Sequence, residues 1–127
     1  MSNNEPLISF TFSPKFQRQL RILAKKYRNI YTDIQPVLSQ LQAGEFVGDQ
    51  ISGTGYIVMK IRVKNSDIQK GKSGGYRLIY EIESSTSVFV LTIYSKSDKA
   101  DISVAEITTI LADIERQSQV DESNGTE

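Results

Sequence analysis

Three runs of the chain, residues 56–64, 75–83 and 87–95, alternate apolar with other side chains. A period of two puts successive side chains on opposite faces of a strand, so each run reads as β-structure. Only Ser84, Ser85 and Thr86 separate the second run from the third, and so short a connection makes an antiparallel hairpin. Alternation assigns Ile57, Met59, Ile61 and Val63 to one face, then Tyr76, Leu78, Tyr80 and Ile82, then Phe89, Leu91 and Ile93. These sets are the expected core of an antiparallel meander, and the remaining chain must supply what covers them.

Residues 7–12 read as a short strand, with Ile8, Phe10 and Phe12 on one side. Ser13-Pro14 is a helix-start signal, because serine caps and proline suits the first helical position. Phe16, Leu20, Leu23, Ala24 and Tyr27 then recur at helical spacing, and the bases between them form a solvated face. A second helix is expected over residues 29–42, with Ile34, Val37, Leu38 and Leu41 inward, Pro36 near its start and Ala43-Gly44 at its end. The Gly-rich residues 45–55 read as a loop. A last helix is expected over 103–115, where Ser103 and Glu106 have capping-box spacing and Ile107, Ile110, Leu111 and Ile114 form the apolar stripe. The polar residues 117–127 are expected to be a disordered tail after a single domain over 1–116. The sum is an α+β fold: a mainly antiparallel sheet of about four strands, an N-terminal helical hairpin and a C-terminal helix, with the helices on one sheet face.

The chain has 127 residues, the size of one domain, and contains neither cysteine nor histidine. That removes the usual zinc ligand sets, thiolate catalysis and Ser-His-Asp triads. Proton transfer would fall to Lys, Arg, Tyr, Asp or Glu. No run approaches the ~20 apolar residues that span a bilayer, and the N-terminus lacks a signal-peptide pattern, so no membrane and a cytoplasmic location are expected.

The formal net charge is zero, but its distribution is uneven. Residues 60–77 hold six bases and one acid, Asp67, whereas the last thirty residues hold eight acids and two bases, Lys99 and Arg116. If the apolar sets pack under the helices, the other sheet face displays Lys60, Arg62, Lys64, Arg77, Tyr94 and Lys96 together. Cations with an aromatic among them suit a nucleic-acid backbone and a stacked base, and an ordinary solvated sheet face is the competing reading of equal weight. Gly71-Lys72-Ser73 suggests a phosphate-binding loop, but the upstream glycine is missing and the segment leads into a strand. A basic loop carrying Lys70 and Lys72 against RNA phosphates is the better functional reading, beside a plain hairpin loop.

The string from Lys70 to Tyr80, containing Gly74-Gly75-Tyr76-Arg77, resembles the signature of RelE/ParE superfamily toxins, in particular the RelE-like and HigB-like branch. So do residues 91–98, the following Asp101-Ile102-Ser103 and the opening Phe12-Ser13-Pro14-Lys15-Phe16. The resemblance spans residues 8–116. It implies the toxin of a type II toxin–antitoxin pair, an endoribonuclease that cleaves mRNA at the ribosomal A site without metal or cofactor. Its implied partners are a cognate antitoxin, the ribosome and mRNA.

Carried onto this sequence, the resemblance makes Arg77 a phosphate-stabilising arginine. Lys60 and Arg62 become strand cations, with Lys60 the candidate to assist deprotonation. Lys96 becomes the group that stabilises the phosphate or assists the leaving oxygen. Lys64, Lys70, Lys72 and Tyr94 would bind RNA. Several active relatives have a tyrosine after the last strand, where this chain has Ala100-Asp101-Ile102. Two other readings therefore stand beside the nuclease: a non-catalytic toxin fold that binds an antitoxin, and a ParE-like DNA gyrase inhibitor.

Overall fold

The computed structural model describes residues 7–68 and 74–124, with side chains described as far as Ile114. The elements are β1 (Ser9–Phe12), α1 (Pro14–Lys26), α2 (Ile30–Gln42), β2 (Asp49–Ile51), β3 (Val58–Val63), β4 (Tyr76–Ser84), β5 (Ser87–Ser95) and α3 (Val104–Asn124). The strands form one sheet in the order β1-β5-β4-β3-β2. β1 lies parallel to β5, and all other pairings are antiparallel. The α+β class and the expected helices and meander are present. The short edge strand β2 is additional, hidden in sequence because three residues, Asp-Gln-Ile, carry no alternation.

Ser13 makes the turn from β1 into α1. Its Oγ accepts the Phe16 N–H at 2.9 Å and donates to the Leu91 carbonyl at 2.5 Å, so the helix cap is also a tie to β5. Pro14 takes the first helical position. α2 differs from expectation in one detail. Pro36 stands inside the helix, in its second turn, where it removes the hydrogen bond to the Thr32 carbonyl. Its neighbour Val37 is buried, and Pro36 itself lines a cleft against β3. α3 runs on to Asn124, past the expected end at residue 115, because no Pro or Gly interrupts the segment before Gly125.

The helices do not share one sheet face, and here the expected layering is corrected. α1 and α2 cover Met59, Ile61, Val63, Tyr76, Leu78 and Tyr80, with Phe16, Leu23, Ile34 and Leu41 inserted between them. α3 covers the opposite face, where Ile107, Ile110, Leu111 and Ile114 pack on Val58, Ile79 and Leu91. Burying each such side chain contributes roughly 1.5–3 kcal/mol, enough to hold a helix over the second face. Among the described residues, no helix is long and apolar enough to cross a membrane.

Two register features place the rest. A β-bulge at Leu91 lies between the pairs Ile79–Thr92 and Tyr80–Val90. It turns Phe89 and Leu91 toward α3 while Ile93 stays under α1 and α2, so the expected single core set on β5 is divided. At the other end of β4, Gly75 passes so close to β3 that a Cβ there would lie 2.1 Å from the Val63 carbonyl oxygen. The Gly74-Gly75 pair is thus a packing requirement at its second member. Gly75→Ala is expected to destabilise the fold by about 1–3 kcal/mol, the range for overpacking a filled site. A drop in the urea midpoint at unchanged slope would show it, and a wild-type midpoint would mean that β3 yields freely.

Candidate nucleic-acid interface

Antiparallel register fixes which cations meet. Arg62 of β3 stands opposite Arg77 of β4, and Arg77 stands opposite Tyr94 of β5. In the next row Lys60 stands opposite Ile79, with Asp49 of β2 on its other side. Directly opposed residues share a face, so Lys60, Arg62, Arg77 and Tyr94 lie together on the α3 side of the sheet. Like charges directly opposed across two strands repel.

The loop from β5 to α3 then closes over this row. Lys60 Nζ lies 3.3 Å from Asp101 Oδ1. The Tyr94 hydroxyl donates to the same oxygen at 3.5 Å, and the Ile102 N–H donates to it at 2.8 Å. Lys96 Nζ donates to the Ala100 carbonyl. The Ile102 N–H, followed by the Lys60 ammonium, holds the Asp101 carboxyl below its ordinary value. Burial, with Asp101 second, pushes the Tyr94 hydroxyl up to about 12, so it is a donor at neutral pH.

The start of α3 adds positive potential from the aligned peptide dipoles of its first turn. Its capping box is present as the sequence indicates. The Glu106 N–H donates to Ser103 Oγ at 3.1 Å, and the Ser103 N–H reaches Glu106 Oε1 at 3.5 Å. Lys99 Nζ lies 2.6 Å from Glu106 Oε2, which lowers that carboxyl.

The expected cations therefore split by exposure. Arg62, Lys64 and Lys96 are exposed, and Lys60 is half-buried. Arg77 is 6% exposed, with Nη1 donating to the Tyr76 carbonyl at 3.2 Å. Tyr94 is 7% exposed and packs with Ile79, Leu91 and Ile102, so its ring offers no face for a base in this conformation. The open basic surface expected from alternation is instead a partly covered one, because α3 occupies that side. Lys70 and Lys72 lie outside the described residues. Lys60, Arg62 and Lys64 also line a cleft of about 920 Å³ between β3 and the Asp33, Pro36, Val37 and Gln40 side of α2.

Asp101 is the site residue that pattern reading missed. It is one acid in an acidic C-terminal third, and no spacing rule carries a loop carboxylate onto a strand lysine forty-one positions earlier.

The family model described as the RelE toxin of the RelE / RelB toxin–antitoxin system matches residues 15–123. The matched stretch runs from the first turn of α1 into the last turn of α3, and so includes the whole cationic row.

The depressed Asp101 carboxyl has a measurable consequence. A group with a lowered folded pKa contributes stability above its ordinary 3.8, and that contribution is lost as pH falls through the folded value. Carboxyl-detected NMR is expected to show Asp101 titrating below 3.8 and moving part of the way back in Lys60→Met, the Ile102 N–H bond remaining. No movement in that variant would mean that the Lys60 contact is not populated in solution.

Proposed function

The chain belongs to the RelE toxin family, and from that premise we propose that it is a metal-independent endoribonuclease that cuts mRNA in the ribosomal A site and arrests translation. The observation that carries the reading is the Arg62–Arg77 cross-strand pair with Lys60 and Lys96 beside it. Cations gathered on one sheet face suit the anionic oxygens of a phosphodiester. The family implies an antitoxin partner, and the motif at Gly74 to Arg77 supports the HigB-like branch.

In the proposed reaction the RNA 2′-hydroxyl attacks the adjacent phosphorus. The O2′–P bond forms and the P–O5′ bond breaks, leaving a cyclic phosphate and a 5′-hydroxyl. Arg77 and Arg62 stabilise the extra negative charge on the phosphate oxygens. Arg77 would act from beneath the surface, its guanidinium held at the Tyr76 carbonyl, and Arg62 from the open side. Lys60, in its neutral form, would accept the 2′-hydroxyl proton, and Lys96 would give a proton to the leaving 5′ oxygen. Lys64 and the 70–72 segment would hold flanking phosphates.

One observation favours a second reading, a non-catalytic toxin fold that retains antitoxin binding. The aromatic at the cationic row, Tyr94, is buried and unavailable for stacking. Primer extension on cellular mRNA after induced expression separates the two. The nuclease reading expects discrete cuts that Arg77→Ala reduces by about 10²–10³, as for loss of one preorganised oxyanion donor. Arg77→Lys should recover part of the activity, since it keeps the charge and loses the fork. Undiminished cutting by a folded Arg77→Ala protein would overturn the site, and absence of cutting by the wild type would favour the second reading.

A further inference from the structure

Residues 100–101 engage two ammonium groups of the cationic row at once. Asp101 accepts from Lys60 and Tyr94, and the Ala100 carbonyl accepts from Lys96. The segment is itself anchored, because Asp101 Oδ1 takes the Ile102 N–H just ahead of α3. A phosphate approaching Lys60 therefore meets a carboxylate already in contact with that ammonium. Either the two anions sit side by side and repel, or Lys60 is released from Asp101. Asp49, opposite Lys60 on β2, makes no ion pair with it among the described residues.

We propose that Asp101 sets the selectivity of this site against free RNA: it is an internal counter-ion that holds Lys60 and Tyr94 until an RNA phosphate presented by a larger assembly displaces it. The inference rests on the RNA reading above. An RNA held in place by an assembly meets the site at an effective concentration of millimolar order, which compensates for a several-fold loss of intrinsic affinity. A free strand has no such compensation. The chain's zero net charge adds no long-range attraction to make up the difference.

The test is fluorescence anisotropy with the full chain and a short, labelled, 2′-O-methyl RNA that cannot be cleaved. Asp101→Asn keeps an acceptor for the Ile102 N–H and removes the charge, and Asp101→Ser serves as the second variant if the first folds poorly. Both are expected to bind about 3- to 10-fold tighter than wild type, with the slope of log affinity against log salt steeper by about 0.7, one more phosphate neutralised on a single strand. The gain should shrink in Lys60→Gln, where there is no ammonium to release. Wild type that binds the RNA and Asp101 variants that bind it no better would overturn the inference and leave the RNA reading standing. A full gain that persists in Lys60→Gln would also overturn it, since the effect would then be one of net charge. If neither wild type nor variants bind even at about 50 mM salt, the RNA reading falls and this inference falls with it.

Discussion

The register of β4 between β3 and β5 is the constraint on which the rest of the molecule depends. β4 is the middle strand of five, and its residues from Tyr76 to Glu81 are all buried. One side of it, Tyr76, Leu78 and Tyr80, packs under the helical hairpin, and the other, through Ile79, packs under α3. Because side chains alternate, a slip of one residue would exchange these two sets and put Arg77 into the α1–α2 core. The same register that lays down two apolar layers therefore brings Arg62, Arg77 and Tyr94 into one row. Packing and the cationic site are consequences of a single alignment, and Gly75 permits it by letting β3 approach.

The bulge at Leu91 tunes that alignment. Without it, Phe89, Leu91 and Ile93 would face the same way, and the α3 face would have only Thr92 and its neighbours from β5. With it, Phe89 and Leu91 reach α3, while Tyr94 still lies opposite Arg77. One unpaired residue thus lets β5 serve both faces of the sheet. The Ser13 hydroxyl, which bonds the Leu91 carbonyl, ties this irregular point to the first turn of α1.

Most of the fold was legible because its signals are local. The Ser13-Pro14 start, the Ser103–Glu106 capping box and the alternation in β3 and β4 each lie within a few residues, and each appears in the structure. The layering was not legible from alternation alone. Period two sorts side chains into two faces but does not say that both are covered. The available signal was β5, where Val88, Phe89, Val90 and Leu91 run on without a polar residue, as expected of a strand buried on both sides. The site divided in the same way. Its strand cations followed from alternation, whereas the burial of Arg77 and Tyr94 and the position of Asp101 depend on where α3 begins, a long-range matter.

Arg62 opposite Arg77 is a like-charge pair in a sheet whose other charged cross-strand pair, Asp49 with Lys60, is of opposite sign, and such conflicts collect where function needs them. The first turn of α3 adds positive potential to the same end of the sheet, so the helix that buries the second core also deepens the electrostatic demand for an anion. Asp101 answers part of that demand from within the chain, its carboxyl lowered first by the Ile102 N–H and then by Lys60. A neutral protein of this kind binds anions through a short-range, shaped site and not through a long-range field, so its affinity depends on how the anion is presented.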